Sequence, residues 1–423
     1  MREVLSFLNL LRSDIFFNVL EKVTSVGLKL LILFLIIKVA GSEEQGIYKY
    51  IIDTAMIFNI IVLFGLDNYS IYLTTKFFKN KELESVHAVI THNLLWCLAT
   101  FFPMLAIVYL STYYFSFLRP IVSNFVLLIT FLAFSFQSRM LVKNMWVGVG
   151  SIVYNSIYQI ISEIILAGVV VVAFFKQHFS SYNTIFLFAS VNVFFMLFTL
   201  VQLILRTNYR FAINYELFKK HIKGGFSIFL YTIFFTCMLR IDSIIVMKSL
   251  GPKFTSYYGI ASQYSEFVYF IVIAVSQIII KETALNDFEN LSTWLKKVQW
   301  TQIAVLLILL VFCPLIPTVF GEEYTNSIIP AIILLIGTYF LGIFIFFTYY
   351  NFGLNRLKVL VISSCIGFLI NLLGNLLLIQ SFGIVGSSIA SSISYFSALI
   401  VLIFLSKTKS GEKVNFRKYL IPF

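Results

Sequence analysis

Charge is scarce in this chain. Of 423 residues only 12% are Asp, Glu, Lys or Arg, while 60% are hydrophobic. A soluble globular protein carries about 25% charged residues, so neither a soluble enzyme nor an anchored soluble domain fits. Cysteine is scarce too. Cys97, Cys237, Cys313 and Cys365 all fall in apolar runs, with no CxxC pair and no Cys/His cluster, which argues against disulfide or metal roles. The familiar catalytic patterns are missing: there is no phosphate loop of the form GxxxxGK[ST], no HExxH and no GxSxG. His87, His92, His178 and His221 lie in predicted loops or at span ends and read as interfacial. Long loops are missing as well, so neither face has room for a catalytic domain. No small-residue cleavage site follows the first apolar run, which therefore reads as a retained helix.

What is present is a succession of apolar segments, each long enough to cross a bilayer. They fall near 15–39, 47–73, 88–111, 120–142, 149–175, 184–205, 224–249, 257–281, 298–319, 328–352, 357–380 and 383–405. The expectation is an all-α polytopic membrane protein with twelve transmembrane helices. Its net charge of +12 sits mostly in short loops, where Lys and Arg act as topology signals and not as a nucleic-acid surface. The N-terminus, the even-numbered loops and the C-terminal tail hold 22 Lys and Arg, among them Arg139 and Lys143; the opposite side has Arg119, Lys176, Lys248 and Lys253. That asymmetry places both termini in the cytoplasm. The links at 76–87, 206–223 and 282–297 mix Lys, Glu and aromatics, as amphipathic segments at the interface do.

The link at 206–223 also bisects the chain. It divides an N-terminal six-helix lobe (1–210) from a C-terminal one (224–423), with 211–223 as the linker. A shift of 210 residues lays Gly41 on Gly251, Tyr48 on Tyr258 and Asp53 on Gln263. Six spans per half return the chain in the same orientation, so any pseudo-two-fold would run along the membrane normal.

Ionisable groups inside the spans mark candidate sites, because each costs roughly 2.5–3.5 kcal/mol at the bilayer centre. Lys22 and Lys29 are seven residues apart and share one face of the first span. Snorkelling accounts for Lys22 more readily than for Lys29, and a lumen-facing role is open to both. Asn155, Gln159 and Glu163 form a polar stripe on the fifth span, with Glu163 facing a cavity. Arg240 and Asp242, two residues apart on the seventh span, cannot both face one lumen; Arg240 suits an anion, and Asp242 a counter-charge from a packed helix. Gln263 and Glu266 share a face of the eighth span, and Asp53 is embedded in the second. Asn371 and Asn375, four apart, suit helix–helix hydrogen bonds. Three cations and four acids exposed to lipid would cost on the order of 20 kcal/mol, so they must cluster with one another or around water.

Four stretches together resemble a known family. They are AGSEEQGIYKYIIDTAMIFNIIVLFGLDN (40–68), LRIDSIIVMKSLGPKFTSYYGIASQYSE (239–266), FGEEYTNSIIPAIILLIGTYFLG (320–342) and NRLKVLVISSCIGFLINLLGNLLLIQSFGIVGSSIASSISY (355–395). The first is similar to a Gly-x-x-x-x-Gly-x-Tyr turn followed by Phe-Gly-Leu. The last is similar to a LIPxxGIxGAAxAT ending, with Ile379-Gln380 in place of Ile-Pro. In order and spacing they resemble the Wzx-type polysaccharide flippases of the multidrug/oligosaccharidyl-lipid/polysaccharide exporter (MOP) superfamily. The resemblance implies two six-helix, MATE-like lobes around a cationic cavity, working by alternating access in a bacterial inner membrane. The cargo it implies is an undecaprenyl-pyrophosphate-linked oligosaccharide, an O-antigen or capsule repeat unit. Lys22, Lys29 and Arg240 would meet the pyrophosphate. No cofactor is implied beyond exchange with H+ or Na+, with Asp53, Glu163, Asp242 and Glu266 as carriers and Asn155, Gln159 and Gln263 as polar lining. Membrane lipid, and the polymerase and chain-length proteins of the same pathway, are the implied partners. A MATE-type drug antiporter is the second reading, and a membrane polysaccharide polymerase, which would need a large outer loop, the third.

Overall fold

The computed structural model describes residues 14–114, 119–149, 152–175, 180–276, 279, 283 and 288–406. Among them there is helix and turn but no strand. Hydrocarbon offers no hydrogen-bonding partner to backbone groups, so a spanning segment must satisfy them internally, as a helix does. In chain order the helices are α1 (Asp14–Leu63), α2 (Leu66–Lys79), α3 (Leu83–Tyr114), α4 (Arg119–Gly148), α5 (Ile152–Phe175) and α6 (Ser181–Thr207). There follow α7 (Tyr215–Leu250), α8 (Pro252–Ala274), α9 (Phe288–Phe312), the short α10 (Ile316–Phe320), α11 (Ile328–Gly353) and α12 (Leu357–Leu405).

Two of these helices are each a broken pair. Gly41 (φ 85°, ψ 178°) interrupts α1, and Gly383 (φ 57°, ψ −137°) interrupts α12. Each half is long enough for one crossing, so α1 and α12 supply two spans apiece and the described chain makes the expected twelve. Gly251 joins α7 to α8 with φ 88° and ψ −179°, and Pro252 then opens α8 with its φ already set for a helix. Gly41 and Gly251 thus share one backbone conformation, accessible in practice only to glycine, at the two positions that the 210-residue shift superposes. The internal repeat is realised as the same corner before the second helix of each half.

The chain divides into two compact units, Met1–Ile233 and Phe234–Phe423, which meet within the continuous helix α7. The sequence expectation puts the break at 211–223. The later part of that link, 215–223, instead forms the first turns of α7, started by Asn214, whose Oδ1 accepts from the Leu217 amide at 2.9 Å.

In the first unit, Ile32 and Ile36 of α1 pack on Leu166 and Val170 of α5. A second core joins Leu73 and Phe77 of α2, Val89 and Ile90 of α3, Met145 and Trp146 of α4, and Leu203 of α6. The segment expected as one span at 47–73 ends at Leu63. A tight turn at Phe64 (φ 52°) and Gly65 (φ 71°) then redirects the chain into the amphipathic α2. Gly65 is also a contact point: a Cβ there would lie 2.2 Å from the carbonyl oxygen of Gly225 on α7. In the second unit α11 is the central helix, packed on α8 and α12, and its Phe344 stacks on Phe235 of α7 at 5.9 Å.

Both units carry apolar side chains outward and polar ones inward. Phe102, Leu127, Val311 and Leu377 are more than 70% exposed, while Asp53, Gln137, Asp242, Asn371 and Asn375 are buried. An apolar exterior over a polar interior is the arrangement of a protein solvated by lipid.

Gly41→Ala and Gly251→Ala are each expected to destabilise the protein by about 1–3 kcal/mol, the strain of a side chain in that region. Gly168→Ala, in the middle of α5 with open space around it, is expected to be neutral or stabilising. Thermal unfolding in detergent measures all three; equal shifts would contradict the special role of the two corners.

Candidate substrate and ion sites

In the first unit the embedded acid Asp53 is 1% exposed and bonds Lys49 Nζ, one helical turn earlier, at 2.6 Å. Sequence reasoning found Asp53 and overlooked Lys49. The pair is an i,i+4 match between opposite charges, and that spacing was the available signal. Asp53 is therefore bound to an internal cation.

A larger network joins α1, α4, α5 and α6. Arg139 donates to Asn192 Oδ1, Gln159 Oε1 and Ser162 Oγ. Lys143 lies 3.4 Å from Glu21 Oε1, and Ser156 Oγ donates to Glu21 Oε2 at 3.0 Å. Ser25 Oγ donates to Glu163 Oε1 at 3.4 Å. Arg139, Lys143, Tyr158, Gln159, Phe195 and Thr199 line a small cleft. This corrects the sequence reading of Arg139 and Lys143 as loop cations. Both lie inside α4, which runs to Gly148, and they turn inward to acceptors on three other helices. The expected span, 120–142, already contains Arg139 and stops just short of Lys143; both read as loop cations because basic residues at a span end look the same whether they face water or turn inward. Gln159 is half-buried and accepts from Arg139, and Glu163 is half-buried. The side chains of Lys22, Lys29 and Asn155 lie outside the described residues.

The second unit separates the two charges of α7. Arg240 Nη1 reaches Glu266 Oε1 of α8 at 2.9 Å, with 16% and 17% of the side chains exposed. Asp242 points elsewhere. It is 2% exposed and accepts from the hydroxyl of Tyr258 on α8, from Ser391 Oγ on α12 at 3.0 Å and from the Ser243 amide at 2.7 Å. The two residues do face different neighbours, as their spacing requires. The expected partner of Asp242, a counter-charge, is corrected to a set of neutral donors. Gln263 is half-buried on α8.

Asn371 and Asn375 do make the expected interhelical bonds. Asn371 Nδ2 donates to the Met238 carbonyl of α7 at 2.5 Å, and Asn375 donates back to the Asn371 carbonyl at 2.9 Å. Ser387 Oγ donates to Asn375 Oδ1 at 2.7 Å across the Gly383 break. Carboxylate and hydroxyl oxygens of α7, α8 and α12 thus meet around Asp242, and a second set of amide and hydroxyl groups joins the two halves of α12 to α7. Oxygen donors of this kind suit a proton or a hard cation. No cluster of three His, Cys, Asp or Glu occurs among the described residues.

Three histidines expected at the interface are buried instead. His87 and His92 of α3 are 7% and 3% exposed, and His221 of α7 is fully buried. His221 Nε2 lies 3.1 Å from Ser70 Oγ and 3.2 Å from the Leu66 carbonyl, and Asn93 donates to Ser70 at 2.8 Å. These groups stitch α2, α3 and the start of α7 together. His178 lies outside the described residues.

This architecture defines a multi-pass membrane protein with the fold of the MOP-superfamily transporters. No protein-family model and no curated protein matches the sequence. Solved structures do match in fold. An inward-facing multidrug resistance MATE transporter of the MOP superfamily has a TM-score of 0.72 at 13% identity, covering 89% of this chain and 92% of its own. The lipid II flippase MurJ in an inward closed conformation has 0.70 at 18% identity, covering 95% and 89%. A MOP transporter from Pyrococcus furiosus, described as having reversed binding-pocket polarity, has 0.67 at 13%, covering 92% and 93%. These structural neighbours are transporters and flippases, not enzymes.

Removing one partner of the Arg240–Glu266 pair leaves a charge in a largely apolar interior. Arg240→Gln and Glu266→Gln are each expected to lose about 2–3 kcal/mol of stability. The double variant should lose clearly less than the sum. Chemical unfolding of the four proteins closes the cycle, and additive losses would show that the two side chains do not interact.

Proposed function

We propose that this chain is a flippase that carries a lipid-linked anionic oligosaccharide across a bacterial inner membrane by alternating access. The cargo class is an undecaprenyl-pyrophosphate-linked repeat unit of O-antigen or capsule, handed on to a polymerase and chain-length proteins. The fold shared with the lipid II flippase MurJ supports this reading, as do embedded cations on α7 and α1. A pyrophosphate leaving water needs charge-assisted donors in a low dielectric. Arg240, still 16% exposed, can exchange Glu266 for such an anion; Lys22 and Lys29 of the first span are the further candidate cations.

The observation that carries the proposal is the division of labour on α7. Arg240 and Asp242 stand two residues apart, yet one enters an ion pair with α8 and the other an oxygen-lined interior shared with α8 and α12. A proton or Na+ taken up at Asp242 changes the packing of the same helix turn that presents Arg240. Ion uptake and anion release can then be linked through one rigid element, as coupling requires. Glu163 and Glu266 are the further candidate carriers. Asp53 is weaker, since Lys49 already neutralises it.

Orientation rests on the basic loops. With Arg139 and Lys143 set aside the sequence bias is still twenty against four, which supports cytoplasmic termini. A MATE-type drug antiporter is the second reading, supported by the fold shared with the MATE transporter. Two lysines on the first span weigh against a cationic drug as cargo.

Per molecule of protein in the membrane, Arg240→Gln, Lys29→Ala and Asp242→Asn are expected to lower flipping roughly 10–100-fold, the loss of a charge-assisted contact. A leaflet-accessibility assay for lipid-linked glycan measures it. Wild-type rate should follow the Na+ or proton gradient, and the Asp242→Asn rate should not. Unchanged glycan export by all three variants would remove the proposal.

A further inference from the structure

The segment that connects α6 to α7 is built unlike an ordinary loop. Between Asn208, in the left-handed region at φ 48°, and the start of α7 at Tyr215 the backbone is neither helix nor turn. It is nevertheless tied down along its length. The Tyr209 hydroxyl lies 2.9 Å from Thr91 Oγ1, and the Tyr209 ring meets His87 edge-on. The Ala212 amide donates to Thr91 Oγ1 at 3.3 Å, and the Asn214 amide to His92 Nε2 at 3.4 Å. Beside these tethers Phe211, Ile213 and Tyr215 are 67%, 64% and 73% exposed. A strip of three large apolar side chains is therefore held outward next to a polar clamp.

Depth and charge identify what the strip meets. Its anchors Thr91 and His92 stand in the early turns of the apolar helix Leu83–Ser111. The strip therefore lies at the edge of the hydrocarbon layer and not out in bulk water. Within residues 206–223 the exposed charged side chains are Arg206, Arg210, Lys219, Lys220 and Lys223, with Glu216 the single acid; exposed Glu82 and Glu84 stand at the start of α3. Aromatic and aliphatic side chains set among Lys and Arg at this depth match a layer of anionic headgroups.

We propose that residues 206–223 form a membrane-surface foot that binds anionic phospholipid headgroups. Phe211, Ile213 and Tyr215 insert at the headgroup level, and the basic residues contact lipid phosphates. The inference is independent of the transported cargo and of which face of the membrane is cytoplasmic. Because the foot is bonded to His92 and Thr91 and continues directly into α7, headgroup binding holds the entry to α7 against α3.

Hydrogen exchange on the full-length protein in lipid nanodiscs tests it. The amides of Phe211 and Ile213 should exchange several-fold more slowly in an equal mixture of phosphatidylcholine and phosphatidylglycerol than in phosphatidylcholine alone. High salt should reduce that protection. Arg210→Gln/Lys219→Gln/Lys220→Gln, and separately Phe211→Ser/Ile213→Ser, should remove the difference while unfolding at the wild-type temperature in phosphatidylcholine. Three results would each overturn the proposal. One is equal exchange in both lipids. Another is protection by inorganic phosphate added to phosphatidylcholine discs. The third is protection seen only in native membranes, which would indicate a protein partner.

Discussion

A bilayer interior has no water with which to satisfy a polar group, and the rest of this structure follows from that constraint. The backbone answers with helices, broken at Gly41, Gly251 and Gly383, where the missing Cβ permits the required dihedrals. The side chains answer with pairing. Lys49 with Asp53, Lys143 with Glu21 and Arg240 with Glu266 are each an ion pair drawn inside its own unit. Asp242 and Arg139 are met by neutral donors and acceptors. A buried ion pair contributes little to net stability, because desolvation offsets the attraction. Its presence in so apolar a chain therefore points to use.

The two units answer the constraint differently. In the first, Asp53 and Glu21 are matched with lysines, Glu163 accepts from Ser25, and Asp67 accepts from Asn144. In the second, an ion pair that keeps some exposure and a carboxylate bonded by neutral donors sit on one turn of α7. Tyr395 of α12 lies within electrostatic reach of both Asp242 and Glu266. Within the second unit Asp242, bonded by Tyr258, Ser391 and the Ser243 amide, is the carboxylate that the proposed coupling would use.

The legible and illegible parts of the sequence divide along the same line. Apolar runs of the right length located every span, and the 210-residue shift located the paired glycine corners. Asp53, Gln159, Glu163, Arg240, Asp242 and Glu266 stood out because a charge or amide inside an apolar run is conspicuous. Arg139 and Lys143 were misread because they lie near the end of α4, where an inward-turned cation and a loop cation look alike in a hydropathy profile. Glu21 was hidden the same way near the start of α1. The histidines misled for another reason: α3 and α7 extend beyond their apolar runs, and their ends are buried by α2 and the α6–α7 connection.

Local chemistry was enough to determine a lipid-solvated chain of twelve helices, its corners, its repeated halves and its one-sided basic loops. Each of these depends on residues close together along the chain, where composition and helical period act directly. Tertiary structure alone decided the partners. Arg240 takes Glu266 from 26 positions away, and Asp242 takes Ser391 from 149. Helical periodicity says which face a side chain occupies; only packing says which other helix that face meets.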